Sequence, residues 1–251
     1  MVGEGANHDT RGACAPRSNS LFSSVCLLKA ISKNSLNSSN IVVAIDGTSA
    51  SGKSTNARMV AKALGYIYVD TGAMYRTLAW HCLQKKIDPH DAKAVAAACR
   101  RWKTILDCVE SVVRLLVDGY YPAKEIRTAP VSEAVPHVAA VPQVRKWMKE
   151  KQRECLRFGS LVMEGRDIGT NVFPETDFKF YLDASLHERA RRRAAEGVQE
   201  NLAARDQRDS QRADAPLMIA LGATVINNSG MTPEQSSALI LQQVRAKLNQ
   251  C

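Results

Sequence analysis

The sequence predicts an α/β protein with a doubly wound parallel sheet. Three observations support this class. Short β-branched runs alternate with stretches of helical periodicity, a glycine-rich loop joins the first predicted strand to the first predicted helix, and the composition is ordinary for a globular chain, with 45% hydrophobic and 24% charged residues. The 251 residues are enough for one large or two small domains. No apolar run reaches the roughly 18 residues of a membrane-spanning helix, so none is expected.

The first 40 residues differ from the rest in composition. Between residues 10 and 40 there are four basic residues, eight serines and no acidic residue. Such an N-terminus is typical of an organellar transit peptide, although Glu4 and Asp9 oppose that interpretation. A disordered tail and a misassigned start codon are the alternatives. We expect residues 1–40 to be a disordered or targeting extension and residues 41–250 to form the folded domain.

From residue 41 onward, strands and helices are predicted in alternation. The β-branched run 41–45 is expected to be a buried parallel strand, and 53–64 has helical periodicity that ends at Gly65. A second strand is predicted at 66–69 and a second helix at 72–84. The later predicted elements are strands at 161–163, 178–182 and 224–226 and a helix that begins at Thr232-Pro233-Glu234.

The middle of the chain, about 85–157, follows a different pattern. Residues 104–109 and 112–117 are predicted strands, and Asp118-Gly119 is a predicted hairpin turn. Because strands that are neighbours in sequence commonly pair antiparallel, we expect a small antiparallel insert here. Helices are expected to follow it over 128–157.

The most specific motif follows the first predicted strand. Residues 47–54 have the sequence Gly-Thr-Ser-Ala-Ser-Gly-Lys-Ser and match G-x-x-x-x-G-K-[ST] at every position. The glycines let backbone N–H groups point at phosphate oxygens, and the helix N-terminus adds positive charge. Lys53 is placed to reach the β- and γ-phosphates, and the Ser54 hydroxyl to hold Mg²⁺. The loop therefore predicts a site for a nucleoside triphosphate with Mg²⁺.

Arginines near the predicted strand ends indicate a second phosphorylated ligand. The chain has 34 Lys and Arg against 25 Asp and Glu, a formal net charge of +9. Residues 189–212 hold seven arginines and four acids, and further arginines lie in the motifs 70–76, 125–128, 142–145 and 164–167. Arginine binds phosphate oxygens with a planar fork, so this pattern is expected in a cleft that receives two phosphorylated molecules.

Three functions are compatible with these residues. The first two are phosphotransferases with different acceptors, and the residues considered so far leave open CMP, UMP, AMP and a non-nucleotide. The third is a nucleic-acid-binding ATPase, which the 6% aromatic content and the absence of interleaved aromatic and basic residues oppose. We therefore expect small-molecule nucleotide partners, no nucleic acid and no membrane.

The cysteines bear on the cellular compartment. The chain has seven, an odd number at irregular spacing, without a C-x-x-C pair or the spacing of a zinc site. A disulfide framework is not expected in a chain that can bury a full core, so we predict a reducing interior. We expect a cytoplasmic monomer, or a protein of the mitochondrial or plastid matrix if residues 1–40 are a transit peptide.

Six motifs occur in a particular order along the chain. They are Ile-Asp-Gly-Thr-Ser-Ala-Ser-Gly-Lys-Ser-Thr (45–55), Asp-Thr-Gly-Ala-Met-Tyr-Arg (70–76), Glu-Ile-Arg-Thr (125–128), Val-Pro-Gln-Val-Arg (141–145), Glu-Gly-Arg-Asp-Ile-Gly-Thr (164–170) and Arg-Asp-Gln-Arg-Asp-Ser-Gln-Arg (205–212). With these motifs, the region 41–249 resembles the bacterial cytidylate (CMP/dCMP) kinases, a branch of the P-loop nucleoside monophosphate kinases. The resemblance implies transfer of the γ-phosphate of ATP to CMP or dCMP, giving ADP and CDP or dCDP.

The resemblance also implies an architecture in three parts. A P-loop kinase core is expected at 41–84 and 158–250. A small antiparallel and helical nucleotide-binding (NMP-binding) insert is expected at about 85–157, and an arginine-bearing lid at about 189–205.

Residue roles follow from the same resemblance. The implied ATP contacts are Gly47, Thr48, Ser49, Ala50, Ser51, Gly52, Lys53, Ser54 and Thr55, with Mg²⁺ on Ser54. The implied contacts of the CMP phosphate are Thr71, Arg76, Arg166 and Arg212. Cytosine is expected to meet Arg145 and Asp167, since a carboxylate accepts from its N4 amine. The ribose is expected to meet Tyr75, Arg205 and Asp209. The implied catalytic residues are Lys53, Arg166, Arg189 and Arg192, with Arg191 a further lid candidate.

The sequence departs from the family pattern in two places. Where the family commonly has a serine that touches cytosine, this chain has Pro136, which has neither a hydroxyl nor an N–H. We expect that base contact to be missing, or replaced by Glu133 or His137, with relaxed discrimination between CMP and UMP. The lid is expected to be short, because only 11 residues separate Arg193 from Arg205.

Overall fold

The computed structural model describes residues 40–195, 197, 201–212 and 214–250. The chain divides into two units, 1–39 and 40–251, and every described residue belongs to the second. Apart from Asn40, the predicted N-terminal extension lies outside the described residues. None of the described helices combines the length and apolarity that crossing a membrane requires.

The described residues form a mostly parallel seven-stranded sheet with β1 near its centre. The strand order is β3-β4-β2-β5-β1-β6-β7, and β3 with β4 is the one antiparallel pair among these neighbours. The strands are β1 (Val42–Gly47), β2 (Ile67–Asp70), β3 (Thr104–Val109), β4 (Val112–Val117), β5 (Leu161–Gly165), β6 (Phe178–Asp183) and β7 (Thr224–Asn227).

Helices cover both faces of this sheet, as the predicted doubly wound class requires. The helices are α1 (Lys53–Leu64), α2 (Thr71–Gln84), α3 (Ala92–Cys99), α4 (Ala129–Ala140), α5 (Pro142–Glu154), α6 (Leu186–Ala195), α7 (Leu202–Ser210) and α8 (Pro233–Leu248). Alternation along β1 sends Val43 and Ile45 into the core beneath α1 and α8, and Val42 and Ala44 into the core beneath α2, α4 and α5. The α/β prediction is confirmed.

The predicted antiparallel pair forms, but it extends the main sheet rather than standing apart from it. The turn between β3 and β4 is Glu110-Ser111, with φ of 51° and 60°, and Val112 of β4 pairs in parallel with Tyr68 of β2. The predicted turn at Asp118-Gly119 is also present, closed by two hydrogen bonds of 3.0 Å between Val117 and Tyr120. The predicted antiparallel strands are therefore present, and β4 has its second partner in β2.

Several of the predicted motifs lie at the carboxyl ends of the parallel strands, at one edge of the sheet. The motif at residues 47–54 runs from the last residue of β1 through the connecting loop into the start of α1, β2 ends at Asp70, and β5 ends at Gly165. A short π-helical turn (Ile168–Val172) follows β5. Because the carboxyl ends of parallel strands share an edge, ligands of such sheets bind there.

Candidate functional site

A cleft of about 710 Å³ opens at the carboxyl ends of the strands. Its lining includes residues of the loop after β1 and of the ends of β2 and β5. Helices α6 and α7, which contain the described part of the predicted lid, contribute arginines and Asp209. The motifs identified in the sequence thus come together around a single cavity.

The geometry of the glycine-rich loop explains two of its residues. A Cβ on Gly47 would lie 2.0 Å from the backbone oxygen of Leu182, so the close approach of β1 and β6 excludes a side chain. Gly52, with φ of 84°, takes the left-handed conformation at the N-cap of α1. The Lys53 ammonium donates to the Thr48 carbonyl oxygen at 2.5 Å and to Ser51 Oγ at 3.4 Å, which places it over its own loop.

Two buried carboxylates that the sequence analysis did not single out lie near Lys53. Asp46, near the end of β1, accepts the backbone N–H groups of Ile168 (2.9 Å) and Gly169 (2.7 Å). Burial raises the pKa of Asp46 to about 6, against the lowering effect of those two hydrogen bonds. Glu164, near the end of β5, accepts from the Tyr68 hydroxyl at 2.5 Å. Their positions at strand ends are the sequence signal that could have found them.

The ionisation of Lys53 and Glu164 is shaped by burial. Burial, followed by the positive charge of Arg166, lowers the pKa of Lys53 well below its usual value, although Glu164 opposes this. Burial and the neighbouring Asp70 raise the pKa of Glu164, and a hydrogen bond with the Ser54 side chain acts in the opposite direction. The loop lysine and this carboxylate therefore form one charged cluster.

At the other end of the cleft, Arg145 and Asp167 form a buried ion pair. Arg145 Nη2 donates to Asp167 Oδ2 at 2.6 Å, and the two side chains are 3% and 9% exposed. The Asn171 side chain donates to the same oxygen at 3.0 Å. Arg145 Nε is buried and has no hydrogen-bond partner among the described residues, and Asp214 Oδ2 lies 3.7 Å from it. The guanidinium also lies 5.9 Å from the Tyr75 ring centre.

Between these ends, Asp209 holds two of the predicted phosphate-binding arginines. Its Oδ2 accepts from Arg166 Nε at 2.9 Å, and its Oδ1 pairs with Arg212 Nη2. Asp209 is 3% exposed and keeps a pKa below its usual value because these cations outweigh the effect of burial. Arg76 and Arg205 also line the cleft. Burial, with nearby arginines adding to it and Asp70 opposing, lowers the pKa of Arg76 to about 10.

The end of β2 contributes further contacts. The Thr71 hydroxyl donates to the Glu164 carbonyl oxygen at 2.6 Å. Asp70 caps α2 by accepting the Ala73 N–H at 2.7 Å, and its other oxygen accepts from Arg127 at 3.2 Å. Asp70 and Arg127 line the cleft but were not among the predicted site residues, although both lie within motifs that the sequence made visible.

The predicted lid arginines contact the protein itself in different ways. Arg189 is 7% exposed and donates to the carbonyl oxygens of Ala184 (3.1 Å) and Ser49 (3.2 Å). Arg192 donates to both oxygens of Asn228 at 3.1 Å, and the Asn228 amide in turn donates to the Ser51 carbonyl oxygen at 2.8 Å.

Arg191, the remaining lid candidate, is more exposed to solvent than Arg189 and Arg192. The side chain of Arg191 is 67% exposed and pairs with Glu188. Arg189 and Arg192 thus lie against the glycine-rich loop, whereas Arg191 pairs with Glu188 on α6. Arg191 and Arg192 line the cleft, and the buried Arg189 does not.

Helix α4 contains the proline that departs from the family pattern. Pro136 lies inside the helix. Among the described residues of α4, Val135 and Ala139 line the cleft, whereas Glu133, Pro136 and His137 do not. The centres of the His137 and His90 rings lie 3.8 Å apart. Neither Glu133 nor His137, the two residues suggested as replacements for the serine, lines the cavity.

The parallel sheet, the glycine-rich loop and the facing arginines define the class of protein, a P-loop kinase. A family model described as Cytidylate kinase matches residues 43–246, and the chain belongs to the cytidylate kinase family. It is 39% identical over 219 residues to a cytidylate kinase of Geobacillus thermodenitrificans, covering 83% of this chain and 98% of that protein. It is 41% identical over 205 residues to one of Limosilactobacillus reuteri, covering 77% and 90%. The predicted family is confirmed.

The chain also has a likeness to a solved structure. It is described as the crystal structure of TT1252 from Thermus thermophilus, and the likeness has 23% sequence identity and a TM-score of 0.42. It covers 84% of this chain and 99% of that one.

Proposed function

We propose that this member of the cytidylate kinase family transfers the γ-phosphate of ATP to CMP or dCMP, giving ADP and CDP or dCDP. One observation carries the proposal: the phosphate-binding loop and the arginine-rich acceptor side line the same cleft, so a donor and an acceptor can meet there. The cleft volume of about 710 Å³ is within the usual range for small-ligand sites.

The glycine-rich loop is the proposed ATP site. Backbone N–H groups within residues 47–55, together with the N-terminus of α1, are proposed to receive the phosphates, as in other loops of this sequence pattern. The N–H of Ser49 itself donates to Asp206 Oδ1 at 3.2 Å. Lys53 is held by Thr48 O and Ser51 Oγ, so its ammonium is already directed along the loop. A cation that is positioned before the substrate arrives needs little reorganisation as charge develops on the transferring group.

The far end of the cleft is the proposed cytosine site. Arg145 has a buried Nε without a hydrogen-bond partner among the described residues, and a buried donor of this kind favours a ligand acceptor. Cytosine N3 and O2 are such acceptors, while its N4 amine can donate to Asp167. Tyr75 lies beside this pair. The donors and acceptors of these groups are complementary to a pyrimidine that has an exocyclic amine.

The phosphate and ribose of the acceptor are proposed to bind between the two ends. Thr71, Arg76, Arg166 and Arg212 are the proposed phosphate contacts, and Arg205 and Asp209 the proposed ribose contacts. Asp209 holds Arg166 and Arg212 in fixed positions through its two oxygens. Arginine forks that are fixed in this way align the acceptor for attack at less entropic cost.

The reaction needs no general base. The nucleophile is a phosphate oxygen of the acceptor, which is already anionic at neutral pH because the second pKa of a phosphate monoester is about 6. Catalysis is therefore proposed to consist of alignment and charge stabilisation by Lys53, Arg166, Arg189 and Arg192. Closure of the lid would exclude water, which could otherwise accept the phosphoryl group.

Mg²⁺ is the proposed metal ion. Among the described residues there is no cluster of three His, Cys, Asp or Glu that could hold a metal. The Ser54 hydroxyl, however, lies beside the Glu164 carboxylate, and hard oxygen groups of this kind suit Mg²⁺ when substrate phosphates and water complete its coordination. Ser54 is the proposed direct contact and Glu164 a proposed supporting carboxylate. When bound, the ion neutralises charge on the β- and γ-phosphates.

We also propose that one chain forms a complete site and acts as a cytoplasmic monomer. All groups named above come from a single chain, and the described cysteines Cys82, Cys99, Cys108 and Cys155 are free thiols, as expected in a reducing compartment. Light scattering coupled to gel filtration and localisation of the full-length chain test these two statements.

An acceptor screen tests the reaction. ADP release is measured with ATP·Mg²⁺ and each of CMP, dCMP, UMP, AMP and shikimate. We expect the highest kcat/KM with CMP or dCMP, measurable turnover of UMP because Pro136 leaves one base contact unmade, and loss of activity in EDTA that Mg²⁺ restores. Preference for AMP or shikimate, or ATP hydrolysis stimulated by RNA but not by CMP, would refute the proposal.

A further inference from the structure

Ser49 of the glycine-rich loop is bound from two helices at once. Its N–H donates to Asp206 Oδ1 of α7 at 3.2 Å, and its carbonyl oxygen accepts from Arg189 Nη1 of α6 at 3.2 Å. Its hydroxyl accepts from Arg193 Nη2 of α6 at 3.3 Å. Ser49 is 1% exposed, so these bonds form away from bulk water. The position of the loop is therefore tied to the positions of α6 and α7.

Asp206 joins the two helices to each other as well as to the loop. While Oδ1 accepts from Ser49, Oδ2 pairs with Arg189 Nη1, the same nitrogen that donates to the Ser49 carbonyl oxygen. The Asp206 side chain is 18% exposed and that of Arg189 is 9% exposed. Charge-assisted hydrogen bonds between such shielded groups are stronger and more directional than exposed ones.

The same helix holds the arginines on the acceptor side. Asp209 follows Asp206 by three residues, which places it about one helical turn along α7. Its carboxylate binds Arg166 and Arg212, the proposed contacts of the acceptor phosphate. A displacement of α7 therefore moves Asp206, which binds the glycine-rich loop, and Asp209, which binds the acceptor-side arginines, at the same time.

We propose that Asp206 is a positioning residue that couples the two nucleotide sites through α7, an inference that rests on the proposed function. A triphosphate that orders the loop also orders Ser49. Because Ser49 is bonded to Asp206, α7 is then fixed as well, and with it Asp209 and the arginines that bind the acceptor. Such coupling is reciprocal, because each ligand must change the affinity of the other by the same factor.

Binding measurements on the full chain test this coupling directly. The Kd of CMP is measured by calorimetry without and with saturating AMP-PNP·Mg²⁺, and the ratio of the two values is the coupling factor. For the unmodified chain we expect a factor of about 5 or more. Asp206→Ala removes both bonds and should bring the factor close to 1. Asp206→Asn keeps an acceptor for Ser49 and loses the charge, so an intermediate factor is expected.

A matched control separates coupling from a general effect of charge. Asp177→Asn removes the same charge from an exposed residue outside the cleft and should leave the factor unchanged. In Asp206→Ala, CMP without the triphosphate analogue should bind within about threefold of its unmodified affinity. A purely structural role of Asp206 would weaken both measurements equally and keep their ratio.

Two results would overturn the inference: a factor near 1 in the unmodified chain, or an unchanged factor in Asp206→Ala, which includes the case in which both measurements weaken equally. If Asp206→Ala does not fold, two other measurements test the coupling. They are the coupling factor of the Asn variant and the amide exchange of residues 202–210 in the unmodified chain. The triphosphate analogue alone must then slow that exchange. Failure of the proposed function is distinct, because it appears as absent turnover of CMP and dCMP. In that case the coupling is measured with the acceptor that the screen identifies.

Discussion

Asp167→Asn should shift the preference of the enzyme from cytosine toward uracil. In the structure, two donors, Arg145 Nη2 (2.6 Å) and Asn171 Nδ2 (3.0 Å), meet at one oxygen of Asp167. In the variant, these donors will orient the amide oxygen of the new side chain toward themselves. Its NH₂ group will then face the base, so that a group that accepted hydrogen bonds becomes one that donates.

The size of the change follows from the hydrogen bonds that are lost and made. With CMP, the N4 amine would meet another donor, and an unsatisfied buried polar group costs about 1–3 kcal/mol. With UMP, the O4 carbonyl would gain a donor worth about 1 kcal/mol. Together these effects amount to about 2–4 kcal/mol. The ratio of kcat/KM for CMP to that for UMP should therefore fall by roughly 30-fold or more.

Initial rates of ADP release over a range of CMP and UMP concentrations give this ratio. Asp214→Asn is the matched control, because it removes the same charge 3.7 Å from Arg145 Nε but from a side chain that is 54% exposed. We expect it to change the ratio by less than about threefold, since solvent screens its charge. A folded Asp167→Asn enzyme with an unchanged ratio would refute the assignment of Asp167 to the base.

Four further changes test other parts of the site. Lys53→Met should abolish turnover while CMP still binds by calorimetry; an unchanged kcat would refute its role. Arg166→Ala should lower kcat by ~10³-fold, by analogy with other arginines that stabilise phosphoryl transfer; a loss below tenfold would contradict this. Gly47→Ala places a Cβ 2.0 Å from Leu182 O and should lower Tm by about 5 °C or more in thermal unfolding. For Asp46, the folded pKa of about 6 exceeds the ordinary value of 3.8 for a free aspartate side chain, so its contribution favours folding at low pH and is lost as pH rises from about 4 to 6. The stability of Asp46→Asn relative to the unmodified chain should therefore rise across that range in urea titrations, and a flat difference would contradict the raised pKa.

Local patterns made the glycine-rich loop and its flanking elements predictable. The strand, the loop and the first helix are continuous in sequence, and the loop pattern predicts a role for Lys53 without knowledge of distant contacts. The place of the β3–β4 hairpin was not predictable in the same way. Local pairing identified the hairpin, but the contact of Val112 with Tyr68 depends on how the whole sheet assembles.

Asp206 illustrates the larger limit of sequence reasoning. In the sequence it is one acid in an arginine-rich helix, and such charges usually lie on a solvated surface. Its importance arises from its hydrogen bond to Ser49, which lies 157 residues away in the chain. The same holds for Asn228, whose bonds to Arg192 and Ser51 have no local sequence signal. Contacts between distant segments created these roles.

The pairing of charges in the cleft also changes the meaning of the net charge of +9. The arginines of the site do not form an unopposed positive surface, because most of those whose contacts are described above are held by carboxylates. These pairs are Arg127–Asp70, Arg145–Asp167, Arg166–Asp209, Arg189–Asp206, Arg192–Glu188 and Arg212–Asp209. Each carboxylate weakens the local positive potential, yet it fixes the direction of the remaining N–H groups. Phosphoryl transfer gains more from donors fixed in place than from a larger but mobile charge, because fixed donors need no reorganisation as the transition state forms. The acids are therefore as much a part of the proposed mechanism as the arginines that they hold.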